Sequence, residues 1–283
     1  MHITFKPPAK INLSLWVHGR RDDGFHELST VFQEIPICDF LVAESSNQHE
    51  FICDAFPGND NLCTIAWKNL EKHVKKSLPA KITLTKHIPA AAGLGGASSD
   101  ATYTLKALNQ LHHLNLSNET LKRIAATFGS DTAFFVEGGC QVGYGRGEKL
   151  HDFTATFNGH LLLAVPHCEI STPPVFKALK SPFSPEKNQV KDLERALKTG
   201  TLSVIRAKIN NDLTPAAQSI ETELKKFMDH ISHSYNTTIF LSGSGSSCYA
   251  IDDKPFEAHP SFEGRYLGCF NLKNNSTLWE ITP

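Results

Sequence analysis

Hydrophobic and polar residues alternate with a period of two close to the amino terminus. From Lys10 the chain reads Lys-Ile-Asn-Leu-Ser-Leu-Trp-Val, and this alternation is typical of a β-strand with one apolar face. The apolar positions are Ile11, Leu13, Leu15 and Val17. The pattern therefore predicts a strand whose other face carries Lys10, Asn12 and Ser14.

Further along, the pattern changes repeatedly between extended and helical periodicity. Extended segments are predicted over about residues 30–42, 81–85, 161–165, 239–241 and 249–251. Helices are predicted over about residues 62–74, 101–111, 121–128, 190–197 and 220–231. Ser117 can cap the third of these helices, whose apolar stripe stops before Gly129. The Pro/Ser-rich segment 171–187 is interpreted as a loop.

The order of these elements indicates both the fold class and the number of domains. Strands and helices alternate without a repeated βαβ unit, which favours an α+β fold over a doubly wound sheet. The chain has 283 residues, and a single hydrophobic core usually stops growing near this length. The apolar pattern loosens between about residues 153 and 158. We therefore predict two domains, residues 1–154 and 155–283.

Charge and cysteine usage exclude several classes of protein. The 28 Lys and Arg residues balance 29 Asp and Glu residues, the net charge is −1, and no basic block is present. We therefore expect no nucleic-acid partner and no membrane partner. The seven cysteines include no CxxC pair and the 14 histidines lack zinc-ligand spacing, which predicts a reduced, cytoplasmic protein. The longest aliphatic run, residues 161–165, is too short to span a bilayer.

The segment from Pro89 to Ala101 joins a predicted strand to a predicted helix, and almost every residue from Ala90 to Ser99 is small. Small residues let a phosphate chain approach the backbone, and the free N–H groups at a helix start bind anions. Ser98 and Ser99 add hydroxyls that could reach phosphate oxygens or a magnesium ion. The segment therefore predicts a phosphate-binding loop, and an ordinary glycine-rich linker is the alternative.

Two common glycine-rich loops do not fit this segment. A P-loop requires a lysine after its last glycine, whereas Gly96 is followed by Ala97 and Ser98. A dinucleotide-binding fingerprint requires Gly or Ala where Ser98 stands, and no acidic residue follows a further strand at the expected distance. The loop is therefore of another kind.

Several motifs together carry a family resemblance. The loop, Pro89-x-x-x-Gly93-Leu94-Gly95-x-x-Ser98-Ser99, resembles that of the GHMP kinases, which include galactokinase, homoserine kinase and mevalonate kinase. The other motifs are Pro8-Ala9-Lys10-Ile11-Asn12-Leu13, Arg21-Asp22-Asp23-Gly24-Phe25-His26, Phe128-Gly129-Ser130-Asp131-Thr132-Ala133-Phe134-Phe135 and Ser242-Gly243-Ser244-Gly245. In this order they resemble the GHMP kinases that act on 4-diphosphocytidyl-2-C-methyl-D-erythritol in the non-mevalonate isoprenoid pathway. The resemblance extends from residue 8 to about residue 250.

The resemblance implies a two-domain GHMP kinase fold, with a ribosomal-protein-S5-like amino-terminal domain, a ferredoxin-like carboxy-terminal domain and the active site in the cleft between them. It also implies a kinase that uses ATP and Mg²⁺ to phosphorylate the 2-hydroxyl of a small molecule containing cytidine diphosphate. The protein is then expected to be a monomer or a weak homodimer. Two alternatives stay open: another small-molecule GHMP kinase of the homoserine or mevalonate type, and a non-catalytic nucleotide-binding protein on the same scaffold.

Asp131 and Lys10 are the catalytic candidates. Asp131 follows a predicted helix end and precedes the apolar run Thr132-Ala133-Phe134-Phe135, where an unpaired carboxylate is costly. The resemblance implies that Asp131 is the general base and that Lys10 is its partner, close to the acceptor oxygen and the γ-phosphate. An alternative for Asp131 is the N-cap of a following helix, and an alternative for Lys10 is a solvated side chain.

The resemblance also implies the binding residues. The ATP phosphates would be held by Pro89, Ala90, Ala91, Ala92, Gly93, Leu94, Gly95, Gly96, Ala97, Ser98 and Ser99, with Ser98 as a magnesium ligand. Adenine would lie near Asn61 and Lys86. The substrate would be held by Asn12, Phe25, His26, Thr172 and Phe176, of which the two phenylalanines would bracket the cytosine ring. The turn at residues 242–247 would supply backbone N–H groups. The sequence departs from the family pattern, by small or isosteric changes, at Ala97, Thr102, Ala133, Ser242 and Tyr249.

Overall fold

The computed structural model describes residues 1–55, 61–156, 158–180, 183, 188–257, 262 and 264–272. Its strands are β1 (His2–Phe5), β2 (Pro8–Arg20), β3 (His26–Cys38), β4 (Phe40–Ser45), β5 (His49–Ile52), β6 (Ala80–Thr85), β7 (Cys140–Gly145), β8 (Lys149–Asp152), β9 (Gly159–Val165), β10 (Phe240–Leu241), β11 (Cys248–Asp252) and β12 (Tyr266–Leu272). Its α-helices are α1 (Leu62–Val74), α2 (Gly96–Leu111), α3 (Asn118–Ala125), α4 (Thr172–Ala178), α5 (Asn188–Thr199), α6 (Leu202–Arg206), α7 (Thr214–Ile220) and α8 (Thr222–Tyr235). A 3₁₀ helix covers Thr132–Val136.

Within these residues the strands form three sheets of four strands each. The strand orders are β1-β4-β6-β5, β2-β3-β7-β8 and β10-β11-β9-β12. Strands β5 and β6 run parallel, whereas the pairs β1–β4, β4–β6, β3–β7, β7–β8, β9–β11 and β9–β12 are antiparallel. Sheets of this mainly antiparallel kind, combined with separate helices, confirm the predicted α+β class.

The chain divides into two compact units, each built from separated segments. Unit 1 comprises Met1–Lys10, Ile37–Ala90 and Gly95–Gly138. Unit 2 comprises Ile11–Pro36, Ala91–Leu94 and Gly139–Pro283. Four residues of the phosphate-loop segment are thus grouped with unit 2. The domain boundary between residues 154 and 155 stays a prediction.

The core of unit 1 is formed by apolar side chains of its sheet and of the helices α1, α2 and α3. The sheet contributes Leu41, Ala43, Ile82 and Leu84. The helices contribute Trp67, Leu70, Leu105, Leu108, Leu121 and Ile124. The burial of Ala101, Leu105, Leu108 and Leu111 confirms the apolar stripe predicted for α2. In α1 the predicted stripe is wrong at Ile65, which is 37% exposed.

Unit 2 has apolar clusters of its own. One cluster includes Leu15, Val17, Leu213, Leu224 and Leu241. A second includes Leu162, Ala164, Ile231 and Ala250. Two bonds fix β2 within this unit, because the Tyr249 hydroxyl donates to the Leu13 carbonyl at 2.7 Å and the Leu15 N–H donates to the Asn210 carbonyl at 2.9 Å.

Strand β2 is buried on both of its faces from Pro8 to Val17. Lys10, Asn12 and Ser14 are only 3%, 4% and 1% exposed. Lys10 is therefore not a solvated side chain, and the polar face of β2 faces protein.

Four predicted elements differ from those of the structure. The extended segment 30–42 is two strands, β3 and β4, separated at Asp39. The helix predicted over 220–231 is α8, which begins at Thr222 and continues to Tyr235, and α3 ends at Ala125 rather than continuing to residue 128. The predicted loop 171–187 contains α4, because two prolines fit the first turn of a helix, where no N–H is needed. Residues 181–182 and 184–187 of that segment lie outside the described residues.

Candidate active site

The helical end of the predicted phosphate loop lies against Lys10. The N-cap of α2 is Gly95, which has a φ of 71°, a conformation that favours glycine. A Cβ atom on Gly95 would lie 2.9 Å from Cζ of Phe135 and 3.0 Å from Cγ of Lys10. Glycine is therefore required at this position, and it brings the first turn of α2 into contact with the Lys10 side chain.

The central part of the loop lies against the turn at residues 242–247. The Ser247 N–H donates to the Ala92 carbonyl at 3.1 Å. A Cβ on Gly93, whose φ is 74°, would lie 2.8 Å from the Gly245 carbonyl oxygen. The two glycine-containing segments therefore approach each other backbone to backbone within unit 2.

The other predicted loop residues differ in their exposure. Ala92 and Leu94 are buried, Gly96 and Ser98 are half-buried, and Ala90, Ala91 and Ala97 are exposed. Pro89 is half-buried, whereas Ser99 is fully buried and its N–H donates to the Gly95 carbonyl at 2.9 Å. Ser98, at the third position of α2, is thus the more accessible of the two loop hydroxyls.

Lys10 and Asp131 form an ion pair. Lys10 Nζ lies 3.0 Å from Asp131 Oδ2, and the two side chains are 4% and 30% exposed. Asp131 does stand at the N-cap of the 3₁₀ helix, but its side chain makes no capping hydrogen bond. The carboxylate therefore faces a buried ammonium and retains access to solvent.

Thr102 joins the start of α2 to the segment that carries Asp131. Its hydroxyl lies 2.9 Å from the Ser98 carbonyl oxygen and 2.7 Å from the Thr132 carbonyl oxygen. The Thr132 hydroxyl in turn donates to the Ala125 carbonyl at 2.6 Å. These bonds hold α2, Asp131 and the end of α3 in one arrangement.

Lys86 is held by two carboxylates that the sequence did not single out. Its ammonium donates to Asp39 Oδ2 and, at 2.5 Å, to Asp100 Oδ2. Burial works against the charge on Lys86, but the carboxylates of Asp100 and Asp39 hold its pKa above its usual range. Burial, opposed by the Lys86 ammonium and reinforced by the Asp39 carboxylate, raises the pKa of Asp100 to about 7.

Asn61, predicted to lie near adenine, caps α1. Its side-chain oxygen accepts from the Thr64 N–H at 3.1 Å, and the Thr64 side chain completes a capping box. This contact fixes the start of α1. The adenine-side role of Asn61 stays a prediction.

Asn12, a predicted substrate residue, is buried in unit 2. Its backbone N–H donates to the Ser242 hydroxyl at 3.1 Å, and its Nδ2 donates to the Thr30 hydroxyl at 2.7 Å. A Cβ on Gly243 would lie 3.0 Å from Asn12 Oδ1. The structure therefore fixes the Asn12 amide beside the turn at residues 242–247.

The aromatic residues predicted to hold the cytosine ring come together in part. His26 stacks on Phe176 with ring centroids 5.2 Å apart and planes at 29°, and Phe183 meets His26 edge-on at 5.9 Å. Phe25 is 51% exposed, and the guanidinium of Arg146 lies 4.7 Å from its ring centroid. The structure thus places His26 with Phe176, and Phe25 with Arg146.

Two further features of unit 2 bear on substrate binding. Thr172, at the start of α4, has its hydroxyl 2.8 Å from that of Ser244. Burial, together with the positive charge of Arg20, lowers the pKa of His26. A neutral imidazole offers one donor and one acceptor, which is what the edge of a pyrimidine base requires.

Two kinds of feature are absent from the part of the chain that the structure describes. Among its residues, no group of three or more His, Cys, Asp or Glu side chains could hold a metal ion. In the same residues, none of the helices has the length and apolar character needed to cross a bilayer.

Known proteins with similar sequences point to one family. The family described as GHMP kinases N terminal domain matches residues 61–139. A 4-diphosphocytidyl-2-C-methyl-D-erythritol kinase from Prochlorococcus marinus (strain MIT 9515) is 35% identical over 98% of this chain and 94% of its own length. A protein of the same name from Listeria monocytogenes serotype 4a (strain HCC23) is 36% identical, with coverage of 89% and 88%.

Solved structures agree with the sequence relatives. A crystal structure of 4-(cytidine 5'-diphospho)-2C-methyl-D-erythritol kinase has a TM-score of 0.74 and 30% identity, and the match covers 89% of this chain and 91% of that one. Homoserine kinase from Cytophaga hutchinsonii (TM-score 0.71, 18% identity, coverage 89% and 85%) and L. major mevalonate kinase (0.68, 17%, 98% and 98%) share the fold. The family predicted from the motifs is confirmed: the chain belongs to the 4-diphosphocytidyl-2-C-methyl-D-erythritol kinase family of the GHMP kinases.

Proposed function

We propose that this protein transfers the γ-phosphate of ATP to the 2-hydroxyl of 4-diphosphocytidyl-2-C-methyl-D-erythritol. The observation that carries the proposal is the ion pair of Lys10 and Asp131, with the Lys10 side chain in contact with Gly95 of the phosphate loop. A proton acceptor, a cation and a phosphate-binding backbone in one place are what phosphoryl transfer to an alcohol requires. The names of the relatives supply the acceptor.

The phosphate loop suits a triphosphate for physical reasons. Its backbone is accessible because its residues are small, and the free N–H groups of the first turn of α2 carry the positive end of the helix dipole. The Lys10 ammonium adds a positive charge beside Gly95. The loop residues 89–99 hold the phosphates in this proposal, and Asn61 and Lys86 lie on the adenine side.

Asp131 is the proton acceptor in the proposed reaction. The hydroxyl proton of the acceptor moves to the Asp131 carboxylate as the acceptor oxygen bonds to the γ-phosphorus. The bond from that phosphorus to the oxygen bridging it to the β-phosphorus breaks, and ADP leaves with the electron pair. Lys10 stabilises the charge that develops on the transferred group.

Magnesium is proposed to accompany the nucleotide, and the half-buried Ser98 hydroxyl fits the role of its protein ligand. Mg²⁺ commonly takes most of its ligands from substrate phosphates and water, so one hydroxyl suffices. When bound, the ion neutralises charge on the phosphate oxygens. Every other group in the proposed reaction belongs to this chain or to its substrates.

The acceptor is held by residues of unit 2. Phe25 and Phe176 bind the cytosine ring through their faces, since every base presents a π face. The neutral imidazole of His26 then selects the base by its edge. Asn12 and Thr172, whose polar groups are fixed by neighbouring side chains, bind the polar part of the acceptor.

A comparison of three acceptors tests the proposal. The purified protein is incubated with ATP, Mg²⁺ and, separately, 4-diphosphocytidyl-2-C-methyl-D-erythritol, homoserine or mevalonate, and ADP release is measured. We expect turnover with the cytidyl compound and none with homoserine or mevalonate. Turnover with only homoserine or mevalonate would contradict the proposal and indicate a GHMP kinase of another type. ATP binding without turnover of any acceptor would favour a non-catalytic nucleotide-binding protein.

A further inference from the structure

Lys86, Asp39 and Asp100 form a buried charged cluster in unit 1, here called the loop clamp. The three side chains are 10%, 0% and 2% exposed, and the ammonium contacts both carboxylates. Buried charges are tolerated only with close partners, and such a cluster adds little net stability compared with apolar side chains of equal size. Its main effect is therefore to fix geometry.

The loop clamp connects the two ends of the phosphate loop. Asp39 Oδ1 accepts from the backbone N–H groups of His87 and Ile88, at 2.5 and 2.8 Å, and these residues lead into the loop. Asp100 lies in α2, which leaves the loop. Because Lys86 donates to both carboxylates, one ammonium joins the chain before the loop to the helix after it.

Two further contacts support this role. A Cβ on Gly96, the first residue of α2, would lie 3.3 Å from Lys86 Nζ and 3.1 Å from Ile88 Cγ2. Asp39 is itself fixed, since its N–H donates to the Pro7 carbonyl at 2.9 Å. The Lys86 ammonium thus packs against the start of α2 and binds Asp39, which lies between β3 and β4.

We propose that Lys86, Asp39 and Asp100 are positioning residues for the phosphate loop, which they hold in the shape that binds the triphosphate. This role differs from the adenine contact that the family resemblance implies for Lys86. The inference rests on the proposed function only in that the loop is taken to bind the phosphates of ATP.

The two roles for Lys86 predict different ligand dependence. A positioning residue affects every ligand that uses the loop, whether or not the ligand carries a base. An adenine contact affects only ligands that contain adenine. We therefore compare a non-hydrolysable ATP analogue, AMPPNP, with inorganic triphosphate, and measure both dissociation constants by calorimetry in the presence of Mg²⁺.

The main variant is the double substitution Lys86→Met with Asp100→Asn. The measurement is made well above pH 7, where the Asp100 carboxyl group is ionised. The double variant then removes one positive and one negative charge, so the net charge of the loop clamp is unchanged while the connection is lost. We expect the affinities for AMPPNP and for inorganic triphosphate to fall by the same factor, about tenfold or more, which corresponds to the loss of about one hydrogen bond to a charged phosphate. The single variant Asp100→Asn retains an oxygen that accepts from Lys86 and should bind both ligands within about threefold of the wild type.

Asp39→Asn is the second variant, in case the double variant fails to fold. Asp39 is fully buried, and loss of its negative charge would by itself strengthen phosphate binding. A fall in affinity for both ligands therefore supports the loop clamp. A loss restricted to AMPPNP in the double variant would overturn the proposal in favour of an adenine contact, and unchanged affinities with a lower melting temperature would reduce the cluster to a structural role.

Failure of the loop clamp can be told apart from failure of the proposed function. Wild-type protein that binds both ligands but does not turn over the cytidyl substrate would contradict the proposed function and leave the loop clamp intact. Wild-type protein that binds neither ligand would contradict both, because the loop would then not be a phosphate site. Binding by the double variant and by Asp39→Asn that equals binding by the wild type contradicts the loop clamp alone.

Discussion

Replacing Asp131 by asparagine removes the proposed proton acceptor while leaving the shape of the site unchanged. The amide is isosteric with the carboxylate, and no capping bond is lost because the Asp131 side chain makes none. A general base contributes about 10²- to 10⁴-fold to a rate, which is roughly 3–5 kcal/mol of barrier. We therefore expect the Asp131→Asn variant to lose kcat by about that factor, with the KM for ATP changed by less than about threefold.

The same substitution has a calculable effect on stability. Asp131→Asn leaves the Lys10 ammonium, whose side chain is 4% exposed, without its carboxylate, whereas Lys10→Met leaves a carboxylate that is 30% exposed and can be hydrated. Removing one partner of a buried ion pair lowers the free energy of unfolding, and access of water to the remaining partner makes the loss smaller. We expect a loss of roughly 1–3 kcal/mol for Asp131→Asn and of about 1 kcal/mol or less for Lys10→Met. The lysine variant should therefore be the more stable of the two.

The assay couples ADP release to NADH oxidation at saturating cytidyl substrate, and chemical denaturation gives the free energy of unfolding. Lys10→Met is the matched control, and the double variant should be about as inactive as either single variant, since the two residues act as a unit. A folded Asp131→Asn protein with kcat within about threefold of the wild type would refute the assignment of the base, because a general base contributes far more.

Three further predictions follow from the geometry. Phe176→Leu removes the ring that stacks on His26, and it should raise the KM for the cytidyl substrate by about 5- to 100-fold, without changing the KM for ATP. Gly93→Ala should lower the melting temperature more than Gly139→Ala, because both glycines have positive φ but only at Gly93 would a Cβ approach a carbonyl oxygen, at 2.8 Å. Burial raises the pKa of Asp100 from 3.8 to about 7, so the folded protein binds a proton more tightly than the unfolded chain. The free energy of unfolding of the wild type should therefore decrease as the pH rises from about 4 to 7, and the decrease should be smaller in Asp100→Asn.

Each of these predictions can fail clearly. Equal effects of Phe176→Leu on the two KM values would indicate a general loss of structure. Equal melting temperatures for the two glycine variants would mean that the loop backbone moves aside at no cost. Parallel pH profiles of wild type and Asp100→Asn would show that another group carries the proton.

The strand and the helix that flank the glycine-rich segment could be predicted from the sequence because their signals are local. Small residues, a preceding strand and the start of an apolar helical stripe all lie between residues 81 and 111. Lys10 and Asp131 were found through motifs, and the structure brings them within 3.0 Å although they lie far apart in the chain. The family motifs supplied information that periodicity does not contain.

The loop clamp could not be predicted, because its pairing is long-range. Asp39 and Lys86 are 47 positions apart, and Asp39 lies in a segment whose pattern predicts one continuous strand. The available signal was an aspartate in the middle of an extended apolar stretch, which must either be paired or interrupt the strand. It does both, since its carboxylate binds Lys86 and the strand ends at Cys38.

The sequence does not predict the helix α4, for a different reason. Pro173 and Pro174 favour a loop by composition, whereas proline is also well suited to the first turn of a helix, where the structure has them. A composition rich in Pro and Ser does not distinguish a loop from a short helix that begins with proline. The apolar residues Val175 and Phe176 that follow were the better signal.

Thr102 lies in the amino-terminal half of α2. Its hydroxyl lies near two carbonyl oxygens, that of Ser98 at the start of α2 and that of Thr132 directly after Asp131. The start of α2 and Asp131, which we propose as the phosphate site and the proton acceptor, are therefore held at a fixed distance by the folded chain itself. Under that proposal, substitutions among the residues that hold the acceptor would change substrate specificity without changing the distance from phosphate to base.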